Sequence, residues 1–431
     1  MYWYISFLRP PPVSTSSSTK EIIITPQIAN DLRTELRYEP TLIHYTWQRI
    51  SPSVSPPNKS QELTTFIPPQ STYKPIHIPL PDNVQIGESW RLGLFSPSIT
   101  NTGTKKLNEP SSSLLQLCED EVDILGVWSE GINIIRSDFN PSTSGVVKGI
   151  NSKNQSNKIK DKRKGKEKYD IQKQGRITRE FKLSKSEDND NEEEEEGIKN
   201  KLKIIEQTSF DLDKKIWDSG LALSSWFWKY LEPNRNLHTR QLAIDILNLI
   251  SRKEDLNILE IGSGTGLVSI ALTLAFKKYL SNHKRLIIAT DLDTAIPLMN
   301  ENLEYNNLKP FLNSQLDEND IKSNTIIQAK ILDWDKELPN WLFNSWPELI
   351  VAADVTYNTS TFPSLLRTLI SLFTSNSLIK PLLILAYKQR DPAERELWNM
   401  LSSNGIQMIM IDKIQGTQDE GETELWVGKL I

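Results

Sequence analysis

The second half of this chain predicts an α/β fold, a mostly parallel sheet with helices on both faces. Three observations carry that expectation. From about residue 202 onward, short β-branched and leucine-rich runs alternate with segments of helical periodicity. One strand-like run ends in the glycine-dense sequence Gly262-Ser263-Gly264-Thr265-Gly266. Acidic and aromatic residues follow three later strand-like runs, at the carboxyl ends where open α/β sheets bind their ligands.

In chain order, an amphipathic helix is expected over residues 240–250. A strand over 257–261 runs into the glycine turn, and a helix over 267–278 leaves it. A strand over 286–290 and a helix over 294–305 come next, then a strand over 325–332 and a tryptophan-rich loop. The strand at 348–353 precedes a helix over 362–374, and the strand at 381–387 precedes a helix over 392–403. Two last strands, 406–411 and 423–428, are separated by a polar turn containing glycine. Strands separated by helices cannot be hairpins. They must cross over, which gives parallel neighbours buried on both faces. The span 202–431 is long enough for one well-packed core.

The first half reads differently. The chain has 431 residues, 38% of them hydrophobic and 24% charged, and polar residues crowd its early part. Mean hydropathy is −0.43. Residues 1–140 mix proline, serine and threonine with apolar islands at 21–24, 92–95 and 122–135, and are expected to be an accessory, partly ordered extension. Residues 141–201 hold a basic run at 158–168 and an acidic block at 187–196. So little apolar surface cannot offset chain entropy, and most of this segment is expected to be disordered. The basic run reads as a nuclear localisation signal, as a nucleic-acid patch, or as a solvated linker. Residues 175–183 and 202–205 alternate like strands, so the acidic block is expected to be a long loop inside a hairpin that leads into the 202–431 domain.

Composition excludes several classes. Cys118 is the one cysteine, so an internal disulfide scaffold is ruled out and a reducing compartment fits. His44, His77, His238 and His283 are scattered, and no metal site is expected. A net charge of −5 argues against a chain that coats nucleic acid. No run reaches the roughly 18–20 apolar residues of a membrane span. The N-terminal apolar run is short and lacks a basic region before it, which makes a poor signal peptide.

The glycine turn is the strongest chemical signal. Glycines let a ligand approach the backbone closely, and the helix start adds oriented N–H groups. A dinucleotide fingerprint needs glycine at its first, third and sixth positions, and Leu267 holds the sixth here. That disfavours a nicotinamide dehydrogenase. Glu260, two residues before Gly262, would repel a pyrophosphate and suits a cationic ligand such as the amino-acid end of S-adenosylmethionine. A glycine turn without a ligand is the competing reading. The next strand ends at Thr290-Asp291-Leu292-Asp293, where an acid can take ribose hydroxyls and Asp293 can instead cap the following helix. Asp333-Trp334-Asp335 follows the third strand, and its indole either stacks on a purine or simply packs. Ala353-Asp354-Val355-Thr356-Tyr357 follows the fourth. Upstream, Trp217-Asp218-Ser219-Gly220 reads as a helix start with a buried tryptophan. Near the fifth strand, Tyr387-Lys388-Gln389-Arg390 lies at the same edge, either positioning substrate or forming a solvated loop.

These residues, in this order, resemble the seven-stranded S-adenosylmethionine-dependent methyltransferases of family 16, the methyltransferase-like protein-lysine methyltransferases. The matching set is Trp217 to Gly220, Glu260 to Gly266, Thr290-Asp291, Asp333-Trp334 and Asp354 to Tyr357. Residues 332–338 and the terminal Thr423-Glu424-Leu425-Trp426 are most similar to the twenty-second methyltransferase-like branch. The resemblance covers 202–431. It implies a Rossmann-like sheet with an antiparallel last strand, S-adenosyl-L-methionine as cofactor, and methyl transfer to a lysine amine of a protein substrate. It implies cofactor contacts at Trp217, Glu260, Gly262, Ser263, Gly264, Asp291, Trp334 and Ala353, with Asp354 and Tyr357 as the catalytic pair that helps to hold the lysine. The basic run at 158–168 tips the expected location toward the nucleus over the cytoplasm, no membrane is expected, and nucleic acid is not required. The Asn/Asp-Pro-Pro-Tyr signature of amide and base methyltransferases is absent, since Asp354-Val355-Thr356-Tyr357 stands in its place. A small-molecule or RNA methyltransferase and a noncatalytic scaffold remain the alternatives.

Overall fold

A computed structural model describes residues 2–99, 105–106, 109–118, 124–136, 172–183, 201–209, 211–232, 241–252, 254–281, 284–308, 324–415 and 421–431. The basic run at 158–168 and the acidic block at 187–196 lie outside them.

The second half is built on strands β1 (Leu256–Ile261), β2 (Arg285–Asp291), β3 (Thr325–Ile331), β4 (Leu349–Ala353), β5 (Leu382–Lys388), β6 (Ile406–Ile414) and β7 (Thr423–Leu430). They form one sheet in the order β3-β2-β1-β4-β5-β7-β6. The pairs from β3 through β5 are parallel, and β7 runs antiparallel to both of its neighbours. This is the expected α/β sheet with its antiparallel last strand. Alternation along each strand divides the core. Ile258, Ile287, Val351 and Ile384 pack on one face, and Leu259, Ile288, Ile350 and Leu385 pack on the other. Helices α1 (Asp218–Leu231), α2 (Gln241–Ser251), α3 (Leu267–Tyr279) and α4 (Ile296–Tyr305) supply residues to the first face. Helices α5 (Asn340–Phe343), α6 (Phe362–Thr374) and α7 (Glu396–Ser403) supply the second. The chain leaves β1 for β2 on one side and reaches β4 on the other, so strand order reverses at β1. A crevice at that reversal is where such sheets bind ligands.

Two expected helices start late, each for a local reason. Pro297 sits at the start of α4, which begins at Ile296 rather than at 294. Residues 392–395 form a 3-10 turn, capped where Asp391 accepts the Ala393 N–H at 2.8 Å, and α7 follows at Glu396.

The first half carries far more β structure than its apolar islands suggest. Strands Trp3–Arg9, Glu21–Ala29 and Ile76–Pro79 join a four-stranded sheet. Thr41–Ser51, Ser89–Phe95, Val127–Ser129 and Ile132–Ile135 belong to a nine-stranded one. Between the two lies a core that includes Ile5, Ile24, Ile43, Trp47, Leu92 and Val127. Thr41–Ser51 escaped sequence reading although its signal was present. Ile43, Tyr45 and Trp47 recur at period two, and all three are buried. Arg176–Lys182 pairs antiparallel with Lys201–Gln207, the register running from Arg176 opposite Gln207 to Lys182 opposite Lys201.

This β body is fastened to the α/β fold. Asn302 on α4 and Asn306, the residue that caps its C-terminus, accept the backbone N–H groups of Ile205 and Lys203 at 2.7 and 2.9 Å, and donate back to the same residues' carbonyls. Arg176 bonds both carboxylate oxygens of Glu301 at 2.8 Å. Helix α1 is a shared wall. Ser225 Oγ donates to the Leu114 carbonyl at 2.6 Å and Trp228 Nε1 to that of Leu183 at 3.2 Å. Tyr2, Tyr4, Leu114 and Leu117 belong to the same apolar cluster as Trp226, Phe227, Ile258 and Ile384.

Candidate active site

A cavity opens where strand order reverses, and the loops leaving β1, β2, β3 and β4 line it together with the segment before α1. The β1 loop is shaped by its glycines. Gly262 has φ +65°, and a Cβ there would stand 2.7 Å from Val355 and 3.4 Å from Trp334. Gly264 (φ +53°) would meet the Asp213 carbonyl at 3.2 Å. Both positions need left-handed backbone and closely approaching neighbours, which only glycine supplies without strain.

Ser263 ties this loop to β2. Its N–H donates to the Thr290 carbonyl at 2.9 Å, and its Oγ accepts the Thr290 N–H at 3.0 Å. Asp291 ends β2 and accepts the N–H groups of Gly264 and Leu292, each at 2.7 Å. Burial pushes its carboxyl above the ordinary aspartate range, against the pull of those two N–H donors. Glu260 is buried at the end of β1, where it accepts the Ser269 N–H at 3.0 Å and the Ser269 hydroxyl. Burial raises its pKa to about 7, Ser269 opposes the rise, and the nearby Asp291 adds to it. Trp334 packs against the loop at Gly262, and its carbonyl accepts from Arg367 at 2.6 Å. Trp217 also lines the cavity. Its Nε1 donates to the Leu212 carbonyl at 3.0 Å, and the Arg390 guanidinium lies 5.4 Å from its ring centroid. Ala353 closes the β4 side. Tyr357 stands at the cavity 53% exposed, its hydroxyl pKa raised by partial burial and by Asp291 and Asp213.

Every residue expected in the site therefore borders one cavity. Asp354 differs in orientation from expectation. Its carboxylate is engaged behind the wall, with Oδ1 taking Arg390 Nη1 at 2.6 Å and Oδ2 taking the Ser219 N–H at 3.1 Å and Arg390 Nη2 at 3.2 Å. It is not a free group awaiting an amine. Its φ of +55° fixes the turn that carries Val355 and Tyr357. Asp213 and Lys215 also border the cavity, and sequence reading did not single them out.

Behind that wall lies a buried charge network. Lys388 Nζ is 2.6 Å from Asp218 Oδ2 and 3.7 Å from Asp31 Oδ1. Tyr4 OH donates to Asp218 Oδ1 at 2.7 Å, and Arg390 Nη2 reaches Asp31 Oδ2 at 2.7 Å. The 387–390 segment is thus no solvated loop. Burial and then Asp31 push the Asp218 carboxyl up. Asp31 is held below its usual range because Arg390 and Lys388 outweigh its burial. Tyr4 and Asp31 come from the β body, and nothing in their local sequence announces the role.

Residues 197–404 match the model of a family described as lysine methyltransferase. A UPF0665 family protein of Schizosaccharomyces pombe is 29% identical over 194 residues, covering 45% of this chain and 48% of its own length. Protein-lysine N-methyltransferase EFM6 of Saccharomyces cerevisiae is 29% identical over 159 residues, covering 35% of this chain and 57% of its own. Protein-lysine N-methyltransferase EFM2 of the same yeast is 30% identical over 129 residues, covering 30% and 25%. The chain spans about half the length or less of these relatives.

Proposed function

We propose, from the premise that residues 197–404 are a lysine methyltransferase family domain, that this chain transfers a methyl group from S-adenosyl-L-methionine to a lysine side-chain amine of a protein substrate. The observation that carries the reading is the single cavity at the reversal of strand order, bordered at once by Glu260, Asp291, Trp334 and Tyr357. The residues suit the cofactor. Bare backbone at Gly262 and Gly264 admits close approach, and the carboxylates of Glu260 and Asp291 complement an ammonium and ribose hydroxyls. Trp217, Ser263, Trp334 and Ala353 supply the remaining walls of that site.

When bound, S-adenosylmethionine supplies a methyl group on a positively charged sulfur. The chain's own work is to present a neutral amine in line with it. A lysine that enters past Tyr357 leaves water for a partly apolar mouth, and desolvation lowers an ammonium pKa. No strong general base is then needed, and the gain comes from alignment. Tyr357 is the residue placed to touch the substrate. Asp354 contributes by holding the turn on which Tyr357 stands.

No helix among the described residues is long and apolar enough to cross a membrane. The basic run at 158–168 supports a nuclear location over a cytoplasmic one, and nothing in the reading requires nucleic acid.

The test is incubation of cell extract with methyl-labelled S-adenosylmethionine and this protein, beside a double variant Gly262→Arg, Asp291→Ala. Label on a discrete protein band, mapped to lysine and lost with the variant, is the expected result. Cofactor binding without protein label would overturn the lysine reading in favour of another acceptor. No cofactor binding would overturn the enzyme reading.

A further inference from the structure

The cavity is walled by the α/β fold, yet one acid that braces its wall belongs to the β body. Asp31 follows strand Glu21–Ala29 in a tight turn. The turn is closed by Asn30, whose Oδ1 accepts the Thr34 N–H at 3.0 Å, and Arg33 takes φ +61° within it. The Asp31 side chain is 1% exposed and does not border the cavity. It meets Arg390 Nη2 at 2.7 Å, across a separation of 359 residues in sequence.

Arg390 is the element through which such a contact would act. Its guanidinium is a rigid planar fork, so fixing one edge orients the other. One edge holds both oxygens of Asp354, and the ring of Trp217 lies beside it. Asp354 sits in left-handed backbone at the end of β4, and Val355, the next residue, packs against Gly262. Two walls of the cavity, at Trp217 and at the 353–357 turn, therefore lean on one guanidinium. Asp31 is its second carboxylate partner. Nη2 lies closer to Asp31 than to Asp354 Oδ2, at 2.7 Å against 3.2 Å. With Asp31 removed, the fork keeps Asp354 but loses its second carboxylate and the shorter of the two bonds on Nη2.

We infer that Asp31 is a positioning residue for methyl transfer, acting through Arg390 on Asp354 and Trp217, so that the β body completes the active site of the α/β fold. This rests on the function proposed above for its kinetic consequence, but its structural consequence can be read without any turnover.

Three variants of the full chain test it. Asp31→Asn keeps the shape and removes the charge, and Asp31→Glu keeps the charge. Arg176→Ala removes a different contact between the β body and α4, and so controls for general loosening. Hydrogen exchange in the 353–358 segment is expected to quicken about tenfold in Asp31→Asn, less in Asp31→Glu, and not in Arg176→Ala. Label transfer to the extract protein should fall about tenfold in Asp31→Asn, while affinity for S-adenosylhomocysteine changes less than about threefold, and Asp31→Glu should recover part of the rate. Should Asp31→Asn fail to fold, Asp31→Glu against Arg176→Ala decides on the same readouts. Wild-type exchange at 353–358 in a folded Asp31 variant would overturn the inference, as would a loss that Arg176→Ala reproduces. A wild-type protein that transfers no label would overturn the proposed function instead, and the exchange result would still decide the role of Asp31.

Discussion

The backbone N–H of Gly264 donates to Asp291 Oδ2 at 2.7 Å, so the acid read as the ribose partner also holds the glycine loop in shape. One carboxylate has two tasks, and its removal should hurt both. Asp291→Ala is expected to weaken S-adenosylhomocysteine binding by about 10- to 100-fold, a loss of roughly 1.4–2.7 kcal/mol. Calorimetry would show it. Asp291→Asn should be milder, because an amide oxygen can still accept from Gly264.

Glu260 is expected to make cofactor binding depend on pH. Its pKa in the folded chain is raised to about 7, and the ionised form is the one that suits a cationic amino-acid end. Binding should therefore strengthen as pH rises through 7 and fall about tenfold between pH 8 and pH 6. Glu260→Gln should flatten that profile. For stability the sign is opposite. A carboxyl raised on folding loses stability as pH climbs from the unfolded pKa toward the folded one, on the order of 3 kcal/mol in total. Unfolding of the ligand-free protein at pH 4.5 and pH 7.5 should show that contribution, and Glu260→Gln should remove it.

Gly262→Ala tests the loop. A Cβ would stand 2.7 Å from Val355 Cγ1 in backbone with φ +65°. The left-handed conformation alone costs roughly 1–2 kcal/mol for an L-residue. The variant should melt several degrees lower and lose most cofactor affinity. Unchanged binding would mean that Val355 retreats freely.

Asp354→Ala separates turnover from binding. It strips Arg390 of two bonds and leaves a buried guanidinium with Asp31 as its remaining carboxylate partner among those described. Removing one partner of a buried pair costs roughly 3–5 kcal/mol of stability. Label transfer should drop far more than S-adenosylhomocysteine affinity. Equal losses would place Asp354 in cofactor binding.

Asn302→Ala probes the join between the two parts of the chain. It leaves the N–H of Ile205 without the acceptor it has at 2.7 Å and the Thr265 carbonyl without a donor at 3.0 Å. An unmade buried hydrogen bond costs about 1–3 kcal/mol. Thermal unfolding would report the loss, and binding should change little.

The sheet and the cavity were legible in the sequence because both rest on local pattern. Apolar runs such as 257–261 and 286–290 announce buried strands. Glycines at 262, 264 and 266 announce a backbone that bends where side chains cannot follow. The acids and aromatics that follow each strand were legible for the same reason, since topology alone carries strand ends to one edge. Asp31 was not legible. It is an aspartate in a polar turn, a commonplace in sequence, and its partner lies 359 residues away. The orientation of Asp354 was hidden likewise, because a motif gives the residue and not the direction its carboxylate faces. The β body was underestimated because strands such as Gln61–Phe66 bury only one residue fully and carry little apolar signal.

Helix α1 gives its two sides a common fate. Trp226 and Phe227 belong to an apolar cluster that takes Tyr4 and Leu114 from the first half of the chain and Ile258 and Ile384 from the second. Neither half owns that oil. A fragment beginning at residue 202 would turn those aromatic side chains toward water and face aggregation rather than a smaller native state. Heating should accordingly melt both halves in one cooperative step. The chain's halves differ in composition and architecture, but in thermodynamic terms they stand or fall as one unit.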